Sequence, residues 1–291
     1  MKDIAIAGIR RGEEFSPGHI DNDATIFRLS ANELRRRGWT VNEYSEKHLA
    51  ENLIDEQYIF NMARSKTSIK RLQQLETSGR TVINSAFGID SCTREKMTRI
   101  LIANHIPHPE SIFVHTAEAI PRFMLNKLNN CWIKRGDSHA VMPEDVTYVE
   151  NSQQALTILH NYAMRGIPNA VINEHLTGDL VKFYGIAGTD FFHWFYPSAE
   201  AHSKFGHERI NGTPKGIPFN LNHLRHLCTQ AAEALNVQIY GGDAIICEKD
   251  LAIRIIDFND WPSFAPCRNE AAPFIAQNIQ SHITQHSRAA V

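Results

Sequence analysis

The stretch "IYGGDAIICEKDLAIRIIDFNDWP", Ile239 to Pro262, holds two apolar, isoleucine-rich runs separated by Glu248, Lys249 and Asp250. Side chains alternate faces along a strand, so two such runs around a polar turn read as a β-hairpin. A turn centred near Asp250 places Asp243 directly across from Asp257, and directly opposed residues face the same way. Asn259, two residues further on, joins them, and three oxygen-bearing side chains converge. A register shifted by one residue would turn the two carboxylates apart.

Like charges placed opposite each other are destabilising, and a hard divalent cation resolves the conflict. Carboxylate and amide oxygens without His or Cys suit Mg²⁺ or Mn²⁺, which take further ligands from water and nucleotide phosphates. Asp243, Asp257 and Asn259 are therefore the candidate metal ligands. On this view, removing one carboxylate slows turnover but costs little stability, because it relieves repulsion in the metal-free protein.

A chain of 291 residues is long for one core and points to two or three subdomains. Its 43 % hydrophobic and 21 % charged residues are the balance of a soluble globular protein. Lys and Arg total 30 against 32 Asp and Glu, which excludes the global basic field of sequence-independent nucleic-acid binding. The five cysteines form no Cys-x-x-Cys pair, so neither a zinc knuckle nor a disulfide framework is expected and a reducing compartment fits. The apolar run before Arg10 is too short for a signal peptide or a membrane span, so a cytoplasmic protein without membrane contact is expected.

Lys2 to Ile9 reads as a buried strand, Ala24 to Arg37 as a helix stopped by Gly38, and "TVNEYSE" as a second strand. Such a β-α-β opening implies a parallel sheet with ligand-binding loops at its strand ends, among them "RRGEEFSPGHIDND". A strand at "IFNM", a helix from Lys66 to Thr77 and a strand ending at Asn84 and Ser85 close this first domain, residues 1–85. After a helix from Arg94 to Asn104, the strands "SIFVH", "CWIKRG", "VTYVE", "AVINEHL", "LVKFYGIAG" and "FFHWFYP" suit antiparallel pairing. Helices are expected at Ser152 to Arg165, Asn220 to Leu235 and Asn269 to His282.

Asp243 on one strand, Asp257-x-Asn259 on the next and Pro262 beyond it resemble the end of the nucleotide site in the ATP-grasp superfamily. D-alanine ligases, glutathione synthetases, ribosomal-protein glutamate ligases and inositol polyphosphate kinases are members. The resemblance runs from about Ser85 to Pro262 and implies an α/β and α+β protein: an N-terminal parallel α/β domain followed by a two-subdomain ATP-grasp fold, residues 86–170 and 171–291. It also implies ATP as cofactor. Lys96 and Lys134 look like the two phosphate-binding lysines, and a compact ammonium at a strand end suits a phosphate. "VINEHLTGD" resembles the family's hinge, with Glu174, His175 and Leu176 along the adenine and Asp179 on the ribose. Lys182 stands where relatives carry a basic residue near the terminal phosphate. "RGDSHAVMPEDV" should be the phosphate lid, with Ser138 and His139 where relatives have glycine.

The shared chemistry is transfer of the γ-phosphoryl group of ATP. The leading expectation is a carboxylate-amine ligase that forms an acyl phosphate, with Lys134, Lys182 and Arg254 as catalytic residues. Arg10, Arg11 and Arg268, with Arg254, are candidates to meet substrate anions, since a guanidinium fork matches a carboxylate. Asp257, where many ligases have Glu, keeps a small-molecule kinase open as an alternative, and the glycine-poor lid keeps a non-catalytic nucleotide-binding module open. Trp261, Ser263 and Phe264 are placed near the substrate. The partners expected are small molecules, not nucleic acid, and a homodimer is the ordinary state for such an enzyme.

Overall fold

Four short parallel strands carry the N-terminal residues, in the order β2 (Thr40–Ser45), β1 (Ala5–Arg10), β3 (Tyr58–Asn61) and β4 (Thr81–Ile83). The computed structural model describes residues 5–16, 18, 20–140, 142–197 and 210–289, so Lys2 to Ile4 and part of the expected lid lie outside them. β1 is central, and Ile6, Ala7 and Ile9 are buried on both its faces, as a parallel sheet covered by helices requires. α1 (Ile20–Arg36) covers one face through Ile26, Phe27 and Leu34. It begins four residues before Ala24, with Asp21 and Asp23 in its first turn, where the helix dipole favours carboxylates. α2 (Glu46–Glu51) and α3 (Lys66–Thr77) cover the other face through Leu49, Leu72 and Leu75.

The middle sheet is antiparallel, in the order β5 (Ser111–His115), β8 (Asn169–Glu174), β6 (Cys131–Arg135) and β7 (Val146–Val149), and is backed by α6 (Ser152–Met164). A third sheet, also antiparallel, runs β10 (Phe192–Phe195), β9 (Gly178–Ile186), β11 (Ile239–Cys247), β12 (Ile253–Asp260). The change of sheet thus falls between β8 and β9, and the expected division at residue 170 lies inside β8. α4 (Ala86–Ser91) and α5 (Arg94–Ala103) lead into this third unit, where Met97 and Leu101 share a core with Leu224 and Leu235 of α7 (Leu221–Leu235) and with Phe258.

α8 (Arg268–Ala289) returns to the first domain, where Ile275, Ala276 and Ile279 join Ile6, Ile26 and Leu34 in one core. Trp261 and Phe264 are fully buried in that same core, so they pack the joint rather than a substrate, and Ser263 alone of the three lines the central cavity. Asn84 ties the joint from the other side: its amide oxygen accepts the N–H groups of Gln238 and Ile239 at 2.8 Å, and its amide nitrogen donates to the Ile239 carbonyl.

Candidate active site

Asp243 faces Asp257, and Gly241 faces Asn259, across β11 and β12. Nearer the turn the register differs by one, Ala244 facing Ile255, so a β-bulge leaves Ile256 as an extra residue. Extended from the turn without the bulge, that pairing would set Asp243 against Ile256 and aim the carboxylates to opposite faces. The bulge also releases the Ile256 carbonyl, which accepts from Lys134 Nζ at 3.1 Å. Gly242 lets the two strands approach here, because a Cβ at that position would lie 2.2 Å from the Asp257 carbonyl oxygen.

Each carboxylate has a cation of its own. Lys182 stands opposite Asp243 on β9, and its Nζ donates to the two carboxylate oxygens at 3.2 and 3.4 Å. Arg94, at the start of α5, is 8 % exposed and donates from both terminal nitrogens to Asp257, at 2.8 and 3.1 Å. Burial raises the Asp257 carboxyl, but Arg94, with Lys134 and Lys182 farther away, outweighs it and holds the group below the usual carboxylate value. Lys134 is 6 % exposed; burial and then the charge of Arg94 bring its ammonium from 10.5 down to about 7, against the opposing pull of Asp257 and Asp243.

These residues line a cavity of about 910 Å³ bordered by the second and third sheets and by loops and helices of the first domain. At one end Trp132, Leu176, Leu180, Ile245 and Ile256 form an apolar slot with Lys134 beside it. Trp132 Nε1 donates to His175 Nδ1 at 3.1 Å, and the two rings cluster with Tyr148.

Scanned against family models the chain matches none, and no curated protein matches it in sequence. Solved structures do match. D-alanine–D-alanine ligase from Bacillus anthracis complexed with ATP superposes with a TM-score of 0.71 at 14 % identity, covering 99 % of this chain and 100 % of that one. The Coxiella burnetii D-alanine–D-alanine ligase gives 0.72 at 10 % identity over 99 % and 97 % of the two chains. The ATP-grasp ligase PsnB, complexed with a minimal precursor, gives 0.62 at 15 % identity over 96 % and 99 %. The chain has an ATP-grasp fold.

Of the residues expected at an ATP-grasp nucleotide site, Lys96, Lys134, Lys182, Glu174, Leu176, Asp243, Asp257 and Asn259 all border the cavity. Lys96 is half exposed and paired with Asp90 at 2.6 Å. One oxygen of the Glu174 carboxylate accepts the Glu110 N–H at 2.8 Å, and the Glu174 N–H donates to the Glu110 carbonyl at 3.0 Å. His175 stands behind Trp132 rather than on the cavity wall. Asp179 is buried away from the cavity, its carboxylate accepting the N–H groups of Lys215 and Ile217 at 2.7 Å, so it anchors a loop rather than facing a ribose.

The arginines divide differently. Arg254 lies outside the cavity and closes the hairpin turn on Asp250 at 2.7 Å, too remote for the catalytic or substrate role expected of it. Arg10 is exposed at the end of β1, and Arg268 donates to Asn22 and the Ala265 carbonyl; neither borders the cavity. Arg11 does, but its three nitrogens already donate to Met62, Asp23 and Trp261.

Three groups were not picked out in the sequence. Arg94 is the first, "TREKM" showing nothing to separate it from Lys96. Arg64, in the loop between β3 and α3, is the second: it pairs with the fully buried Asp260 at 2.6 Å and donates to the Asp260 carbonyl at 2.9 Å. The same guanidinium meets His139, so the segment after β6 contacts the first domain. Glu46, on α2, is the third, accepting the N–H groups of Gly12, Arg64 and Ser65 and thereby fixing the loops after β1 and β3.

The donor set at the hairpin fits a hard divalent cation: two carboxylates and one amide, all oxygen, in register on one face. Among the described residues no three His, Cys, Asp or Glu side chains gather as a metal site, so the Asn259 amide and outside oxygens would complete the ligand shell.

Proposed function

We propose that this protein is an ATP-dependent carboxylate-amine ligase. The observation that carries the proposal is the bulge-set register that brings Asp243, Asp257 and Asn259 together beside Lys134 and Lys182. Full-length likeness to D-alanine–D-alanine ligases, one of them complexed with ATP, supports the same conclusion.

The apolar slot around Trp132, Leu176 and Ile256 would receive the adenine, with backbone groups of the Glu174–Leu176 segment along its edge. Lys134 lies between that slot and the hairpin, where its charge would meet phosphate oxygens. Lys182 would offset the charge that develops on the transferred phosphoryl group. Asp243, Asp257 and Asn259 would hold Mg²⁺ or Mn²⁺, which would supply positive charge against that of the phosphates. Arg94 fixes the rotamer of Asp257 through its two-point contact, so the hairpin is ordered before any ligand arrives.

The substrate carboxylate would attack the γ-phosphorus, forming an acyl phosphate and ADP; an amine then displaces phosphate and forms the amide. Product analysis tests this. Phosphate released from ATP only when a carboxylic acid and an amine are both present supports a ligase, whereas a phosphorylated acceptor without free phosphate identifies a kinase.

A further inference from the structure

The cavity continues past the hairpin to the first domain, where its wall is one face of α3. Lys66, Ile69, Lys70 and Gln73 line it, spaced three, four and seven residues from Lys66 as a single helical stripe requires. The opposite side of the helix, Ser68, Leu72 and Leu75, is buried in the first domain's core, so the stripe cannot rotate away.

Most charges at this end are already engaged. Arg11 is bound by Asp23 and two carbonyls, Arg64 by Asp260, and Lys96 by Asp90. Lys66 and Lys70 differ. The Lys66 ammonium is 77 % exposed and lies 3.7 Å from Asp137, a carboxylate that Arg135 already holds at 2.7 and 3.1 Å. Lys70 is exposed and forms no ion pair or hydrogen bond among the described residues. Two ammonium groups one turn apart thus face the cavity with their hydrogen-bonding capacity in hand.

Resting on the ligase reading above, we infer that the acceptor is an acid with a second anionic group, a carboxylate or a phosphate, and that Lys66 and Lys70 bind that second group. The reacting carboxylate lies by Lys182, and the remainder of the acceptor extends across Ile69 and Gln73. The cavity volume, near the upper end of the range of about 300–1,000 Å³ for small-molecule sites, has room for such an acid beyond a nucleotide's phosphates. Charge complementarity favours this occupant, because an anionic group gains charge-assisted contacts from both lysines that a neutral tail does not.

Titration calorimetry in the presence of AMPPNP and Mg²⁺ tests the inference. The probes are the dicarboxylates from succinate to suberate, each against its half-amide, and O-phosphoserine against serine. In the wild type at least one doubly charged probe binds about tenfold or more tighter than its partner, as charge-assisted contacts imply; which series shows it separates carboxylate from phosphate. The double variant Lys66→Gln/Lys70→Gln loses that preference while its affinity for AMPPNP is unchanged. Absence of any preference in the wild type, or a preference that survives the double substitution, overturns the α3 assignment alone. Failure of the wild type to bind AMPPNP overturns the nucleotide site, and the inference with it.

Discussion

Arg94 and Asp257 join α5 to β12 by a two-point ion pair of 2.8 and 3.1 Å, directly beside the cross-strand partner Asp243. The repulsion that two facing carboxylates would suffer is therefore already offset without a metal, Lys182 doing for Asp243 what Arg94 does for Asp257.

Asp257→Asn should consequently destabilise the protein, where a bare carboxylate pair would predict almost no change. The variant leaves a buried guanidinium with a weaker partner, at a cost of about 2 kcal/mol. Chemical denaturation measures it, and the same substitution made on an Arg94→Gln background should cost less than half as much. Equal costs in both backgrounds would show that the ion pair does not matter to the fold.

Lys134 makes nucleotide binding depend on pH. Its ammonium sits at about 7 in the folded chain against the ordinary 10.5. Because the folded value is the lower one, the unfolded chain binds the extra proton between these limits, and nucleotide-free stability rises with pH across that window. At pH 8 the group is largely neutral, and a polyphosphate beside it restores the charge. ATP binding at pH 8 should take up about one proton, read from calorimetric enthalpies in buffers of different ionisation heat. Zero uptake would place Lys134 away from the phosphates.

Asp260 and Arg64 tie the third sheet to the first domain through a pair that solvent barely reaches. Asp260→Ala strands the guanidinium and should cost about 3–4 kcal/mol, whereas Arg64→Met with Asp260→Leu should restore most of that stability. Thermal unfolding of the single and double variants decides it; a double variant no better than the single would point to a role for the charges beyond pairing.

Gly242 holds β11 against β12 where the bulge begins. Gly242→Ala drives a methyl into the Asp257 carbonyl, at 2.2 Å in the present backbone, so the strands must part. The loss of stability should be about 1–3 kcal/mol, and metal-dependent AMPPNP binding should weaken with it. An alanine variant with unchanged metal dependence would mean that the hairpin tolerates a wider gap.

The hairpin was legible in the sequence because two isoleucine runs with a polar turn leave few other folds, and α3 was legible because Gly79 stops it just beyond Thr77. α2 and α4 were not read: each has six residues, too few for a helical period to show. The convergence of Asp243, Asp257 and Asn259 was legible in their spacing, although their facing depends on a bulge that no local pattern announces. Arg94 and Arg64 escaped because their partners lie far along the chain, at Asp257 and Asp260. Arg254 misled for the opposite reason: a turn carboxylate four residues away claims it.

Calorimetric titration of the wild type and of Asp243→Asn with AMPPNP, each with and without Mg²⁺, bears most directly on the metal-nucleotide hairpin. The wild type should bind far more tightly with Mg²⁺ than without, and Asp243→Asn should lose about tenfold or more of that gain, as removal of one of two carboxylate ligands implies. Equal Mg²⁺ dependence in the two proteins would contradict a metal site at Asp243, Asp257 and Asn259.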